Sequence, residues 1–84
     1  MMDNIRGKVR EFVEEAAQRK GVVAVTDEES LTENGVIDSL AIFRLVSFLE
    51  DKFGIRIADE EIVNDNFESV NTIESFVAQK LDKH

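Results

Sequence analysis

Cysteine is absent from this 84-residue chain, which removes a disulfide framework, a thiolate metal site and a cysteine nucleophile. No apolar run is long enough to span a bilayer, and the N-terminal stretch MMDNIRGKVR lacks the apolar segment of a secretory signal. The only histidine is the final residue, His84. Basic side chains are scarce, 10 Lys and Arg against 18 Asp and Glu, for a net charge of −8. Internal repeats, low-complexity segments and proline-rich linkers are also missing. These absences predict a cytoplasmic chain, held together by packing, with no membrane insertion and no resident metal.

At this length residues 1–84 form one domain and not two. A core of that size leaves little room for an active site that shuts out water. With 43% hydrophobic and 33% charged residues the composition is that of a folded domain, not a disordered tail. The acid is concentrated in the middle. Residues 21–70 hold twelve acidic and three basic side chains, whereas the segments on either side are nearly balanced. Such a surface repels nucleic-acid phosphates and attracts basic patches on proteins.

Helical periodicity organises the chain. Ile5, Val9, Phe12, Val13 and Ala16 make one apolar stripe. The helix is expected over about residues 3–19, with Asp3 as N-cap and Gly21 as stop. Gly7 interrupts the pattern. The eighteen residues GVVAVTDEESLTENGVID show no sustained period. Loops longer than about 12–15 residues are uncommon in compact domains unless they serve a function or are disordered. Val22, Val23, Val25, Leu31, Val36 and Ile37 argue for an ordered loop anchored on a helical core, and VVAV, compatible by itself with a short strand, has no second strand to pair with.

From Ser39 the helical period returns with Ile42, Leu45, Val46, Leu49 and Phe53, and Gly54 stops it. Leu40, Phe43 and Phe48 fall partly outside that stripe and are candidates for a partner contact. A short helical turn capped by Asp59 is expected to about Val63, then a loop, NDNFESV. A last helix covers about 72–82, with Asn71 and Glu74 spaced as a capping box. The architecture predicted is all-α, a small four-helix bundle of three longer helices and one short third helix, with a long first loop.

Ser39, at the junction GVIDSLAIF, admits several readings. A calcium loop fails on its ligands. With Gly35 at the turn position, Ala41 falls where a bidentate glutamate is required. A hydrolase fails for want of a base and of a Gly-x-Ser-x-Gly elbow. An N-cap and an attachment site remain. The free N–H groups and positive dipole end of a helix favour an anionic ester on such a serine.

The segment GVIDSLAIFRLVSFLEDKFGIRIADEEI resembles the central region of acyl and peptidyl carrier proteins. The Gly-x-x-Asp-Ser-Leu signature falls on Gly35, Asp38, Ser39 and Leu40. Leu45-Val46, Leu49-Glu50, Phe53-Gly54 and IRIADEEI follow at the family's spacing. The resemblance implies a non-enzymatic carrier in which Ser39 both caps the second helix and bears 4′-phosphopantetheine from coenzyme A. The arm's thiol would hold acyl or aminoacyl groups as thioesters. Implied partners are a phosphopantetheinyl transferase, an acyl- or aminoacyl-activating ligase and an acyltransferase or synthase.

Gly35, Asp38, Leu40, Phe43 and Arg44 would form the recognition surface, and a monomer suits a carrier that visits several enzymes. Housekeeping fatty-acid carriers commonly have an acidic helix after the modified serine. Here Ala41, Ile42, Phe43 and Arg44 stand there, which points to a specialised stand-alone carrier with dedicated partners in a lipid, secondary-metabolite or envelope pathway. The alternatives are a D-alanyl, other aminoacyl or peptidyl carrier, and an unmodified acidic interaction module of the same fold.

Overall fold

In the computed structural model, which describes residues 4–82, every regular element is helical. Helix α1 spans Asn4–Lys20, α2 Ser39–Phe53, α3 Asn64–Phe67 and α4 Val70–Asp82, with a 3₁₀ turn at Asp59–Glu61. The expected cap Asp3 and the histidine His84 lie outside the described residues.

The apolar stripes meet as their spacing requires. Helix α1 buries Ile5, Val9, Val13 and Ala17, α2 buries Leu45, Val46 and Leu49, and α4 buries Val70, Ile73, Phe76 and Val77. Phe12 of α1 meets Phe48 of α2 with ring centroids 5.2 Å apart. Phe67 sits edge-on to Phe76 at 5.4 Å. Gly54 ends α2 in the left-handed region at φ 64°, its N–H donating to the Glu50 carbonyl at 3.0 Å, a position where a side chain would be strained.

The long first connection is ordered, and its anchors are specific. Val25, Leu31, Val36 and Ile37 are buried in the same core as the helices. Its backbone is tied down as well. Leu31 N–H donates to the Glu68 carbonyl at 2.7 Å, Ile37 N–H to Leu31 at 2.9 Å, and Asn71 N–H to Asp27 at 3.0 Å. The Asp27 carboxylate bridges Arg6, at 2.8 Å, and Arg10, while Arg6 also holds Glu74 at 2.7 Å. Asp27 thus fastens the loop to α1, and Arg6 fastens α1 to α4 through Glu74.

Several local expectations are corrected. Val23 is fully solvent-exposed and is no anchor. Ser39 does not cap α2. Asp38 is the N-cap, with extended backbone and a carboxylate accepting from Ala41 N–H, and Ser39 is the first helical residue. A carboxylate one position earlier reaches the free N–H, so the hydroxyl is not needed for it.

The short third helix also sits later than expected. Where it was placed there is only the 3₁₀ turn, capped at Ala58 rather than Asp59. Val63 is extended, and α3 restarts at Asn64 inside the segment read as a loop. Burying Phe67 completely drives that restart, because its ring closes the core beside Phe76. The last helix begins at Val70, not after Asn71. Ser69 Oγ accepts from Thr72 N–H at 3.1 Å, while Glu74 is drawn away to Arg6.

Candidate functional site

The site is assembled by a turn and a helix start. Ser30 to Gly35 form a tight polar turn, in which Asn34 Oδ1 accepts from Val36 N–H at 3.0 Å and Asn34 Nδ2 donates to Glu29 at 2.7 Å. Glu29 accepts from Thr26 N–H as well, and these bonds, that to Asn34 foremost, hold its carboxyl below the usual range. Gly35 closes the turn at φ 82°. Val36 and Ile37 then point into the core, which leaves Asp38 and Ser39 outside where α2 begins.

Asp38 has two duties. Its Oδ1 accepts from Ala41 N–H at 2.8 Å, and its Oδ2 accepts from Lys20 Nζ at 2.7 Å. Lys20, the last residue of α1, thereby joins the C-terminus of one helix to the cap of the next. The Lys20 ammonium and then the Ala41 N–H hold the Asp38 carboxyl below its ordinary value. A carboxylate so occupied is a poor proton acceptor for a neighbouring hydroxyl. Ser39 itself is exposed, and its hydroxyl makes no hydrogen bond among the described residues.

Two concavities flank this helix start. Beside Ser39 an open groove of about 530 Å³ runs between α2 and the segment after the 3₁₀ turn, walled by Ile37, Ile42, Phe43 and Ile62 and floored near Thr32 and Gly35. Apart from its two chain neighbours, no residue comes within 4 Å of the place a Cβ would take on Gly35. A narrow, largely apolar chain linked to Ser39 fits such a groove. On the other side, between α1 and α2, a smaller cleft of about 200 Å³ is lined by Phe12, Ala16, Lys20, Leu40, Ala41 and Arg44 among others.

The six residues singled out in the sequence therefore divide. Gly35, Asp38, Ser39 and Phe43 share the groove, while Leu40 and Arg44 turn with Asp38 toward α1. Leu40 and Phe43 are 63% and 60% exposed, as their place outside the apolar stripe suggested, whereas Phe48 is half-buried against Phe12. Two contributors escaped the sequence reading. Lys20 falls just past the end of the expected first helix, and Ile62 falls in the tail of the expected short helical turn. The apolar residue after the DEE run was the available signal for the second. Nothing local signalled the first, because its partner lies eighteen residues away.

No helix among the described residues is long and apolar enough to cross a membrane. The family model described as the phosphopantetheine attachment site matches residues 7–79. The chain is 42% identical over 55 residues to the acyl carrier protein of Arthrobacter sp. (strain FB24), a match spanning 66% of this chain and 65% of that protein. It is 36% identical over 74 residues to the acyl carrier protein of Buchnera aphidicola subsp. Baizongia pistaciae, covering 86% and 88% of the two chains. The fold is similar to the crystal structure of an acyl carrier protein from Thermotoga maritima, with a TM-score of 0.66 and 35% identity over 94% of this chain and 93% of that one. An all-helical bundle that presents an exposed serine at the start of its second helix, with these likenesses along nearly its full length, belongs to the acyl carrier protein family, whose phosphopantetheine-binding domain carries 4′-phosphopantetheine.

Proposed function

We propose that Ser39 Oγ receives 4′-phosphopantetheine from coenzyme A, and that residues 1–84 work as a single carrier domain, a cytoplasmic monomer on whose cargo partner enzymes act. The exposed, unbonded Ser39 hydroxyl at the first position of α2, with an apolar groove beside it, carries this reading. Once attached, the arm supplies a thiol, which the chain lacks, to hold an acyl or aminoacyl group as a thioester.

The chain's own residues bind and orient. The helix start favours an anionic diester on Ser39 through its free N–H groups and dipole. Asp38 fixes the first turn of α2 and so the direction in which Ser39 points. Ile42, Phe43 and Ile62 offer apolar surface along which an arm can lie. Attachment joins Ser39 Oγ to the phosphorus, breaks the pyrophosphate bond of coenzyme A and releases 3′,5′-ADP. With Asp38 held by Lys20 and by the helix, the serine proton passes to a base of the phosphopantetheinyl transferase. Tethering then raises the effective concentration of cargo at each partner.

The further partners are an acyl- or aminoacyl-activating ligase and an acyltransferase or synthase of a specialised lipid, secondary-metabolite or envelope pathway. The charges of α2 support dedicated partners: Arg44 and Lys52 balance Glu50 and Asp51. Glu50 is further engaged by Ile57 N–H at 2.9 Å, so the helix offers little to a basic docking patch. After incubation with coenzyme A, magnesium and a broad-specificity transferase, peptide mapping should find the adduct on the Ser39 peptide. Modification at Ser30, Ser47, Ser69 or Ser75 instead would refute the assignment. Standard fatty-acid synthase enzymes should elongate on this carrier less efficiently than on their own, and equal efficiency would remove the claim of dedicated partners.

A further inference from the structure

The cleft between α1 and α2 has a charge opposite to that of the molecule around it. Arg19, Lys20 and Arg44 line it against Glu15 and Asp38, a net positive rim on a chain of net charge −8. Two of the three cations are already engaged: Lys20 on Asp38 at 2.7 Å and Arg19 on Glu15 at 3.6 Å. Arg44 is exposed and makes no ion pair among the described residues. One turn before it on the same face stands Leu40, mostly exposed. Phe12 and Ala16 form the apolar floor, and Phe12 is braced by Phe48 behind it.

We propose that this cleft docks an acidic, amphipathic segment of a partner protein, whose apolar side chain enters beside Leu40 and Phe12 while its carboxylate pairs with Arg44. Guanidinium binds carboxylate in a planar, two-point fashion that an ammonium does not match. Elsewhere the chain's negative surface repels such a segment, so encounter is steered to this rim. The same net charge opposes docking on an anionic membrane, and opposes self-association of two copies. As a face that would bring enzymes to the arm, the cleft rests on the carrier reading. As a binding site it stands on its own geometry.

The test uses the unmodified ¹⁵N-labelled chain, so that it does not depend on Ser39 being loaded. Two synthetic helical peptides with the same leucine face are titrated in, one with glutamate on its polar face and one with lysine. The acidic peptide should shift the amides of Ala16, Leu40, Ala41 and Arg44 saturably, and more weakly as salt rises. Arg44→Glu should weaken it by about tenfold or more, and Arg44→Met by less, since charged hydrogen bonds contribute roughly this much. The dispersion of the same spectra reports whether each variant is folded.

Equal occupation of these amides by the basic peptide, or acidic-peptide shifts that miss them, would overturn the proposal. So would the same shifts produced by anionic vesicles or by raising protein concentration alone. Peptide binding retained in a chain that cannot be loaded at Ser39 would refute the carrier reading and leave the docking face standing. Loading without peptide binding would do the reverse.

Discussion

Leu31 and Val23 sit in the same loop, are both aliphatic and have opposite predicted consequences. Leu31 is 0% exposed, packed in the shared core, and its N–H is bonded to Glu68 near the start of α4. Truncation to alanine removes buried apolar volume and leaves a hole that the ion-paired, hydrogen-bonded loop cannot easily close. Leu→Ala changes of this kind cost about 2–5 kcal/mol. Total stability at this chain length is only about 4–13 kcal/mol, so Leu31→Ala spends a large fraction of it. Val23 is 100% exposed, and Val23→Ala should stay within about 0.5 kcal/mol of the parent. The chain has no tryptophan or tyrosine, so the assay is urea unfolding followed by far-ultraviolet circular dichroism. With m near 1–2 kcal/mol/M, the Leu31→Ala midpoint should fall by about 1–5 M, and the Val23→Ala midpoint should barely move. Equal losses in the two variants would refute the account of how the loop is held, and with it the account of how Ser39 is presented.

Gly7 lies exposed inside α1 with open space where a Cβ would go, so Gly7→Ala should stabilise by about 1 kcal/mol and raise Tm by about 4–8 °C. Ser69→Ala should cost about 1 kcal/mol by uncapping α4, whereas Asn71→Ala should leave that cap intact; chemical denaturation compares them. Asp38 has its folded pKa depressed by Lys20 and the Ala41 N–H. Its contribution to stability is therefore present above the unfolded value of about 3.9 and is lost as pH falls below it through the folded pKa. A carboxyl-carbon NMR titration should place Asp38 below the usual range, and Lys20→Met should move it upward. An unmoved titration would remove Lys20 from the site.

The long helices were legible because their stripes recur over three or more turns, and the error at each end is one of capping. Asp38 and Ser39 are both good cap residues side by side, and only the backbone of the turn from Ser30 to Gly35 decides which one reaches Ala41. Asn71 and Glu74 had the spacing of a capping box, yet Arg6, far away in sequence, takes Glu74. Helix α3 could not be foreseen, since four residues carry no period and its cause is the burial of Phe67 against Phe76. In the site, Gly35, Asp38, Ser39 and Leu40 were readable from their spacing. Lys20 and Ile62 were not, because they arrive through tertiary packing of α1 and of the segment after the 3₁₀ turn.

The central claim is that Ser39 carries the arm, and intact mass tests it most directly. The chain and its Ser39→Ala variant, each shown to be folded, are incubated with coenzyme A, magnesium and a broad-specificity phosphopantetheinyl transferase, then weighed and titrated for free thiol. Because neither contains cysteine, any thiol that appears belongs to the arm. The account predicts one added phosphopantetheine and one thiol on the parent and none on the variant. No addition to the folded parent, or equal addition to both, would contradict it.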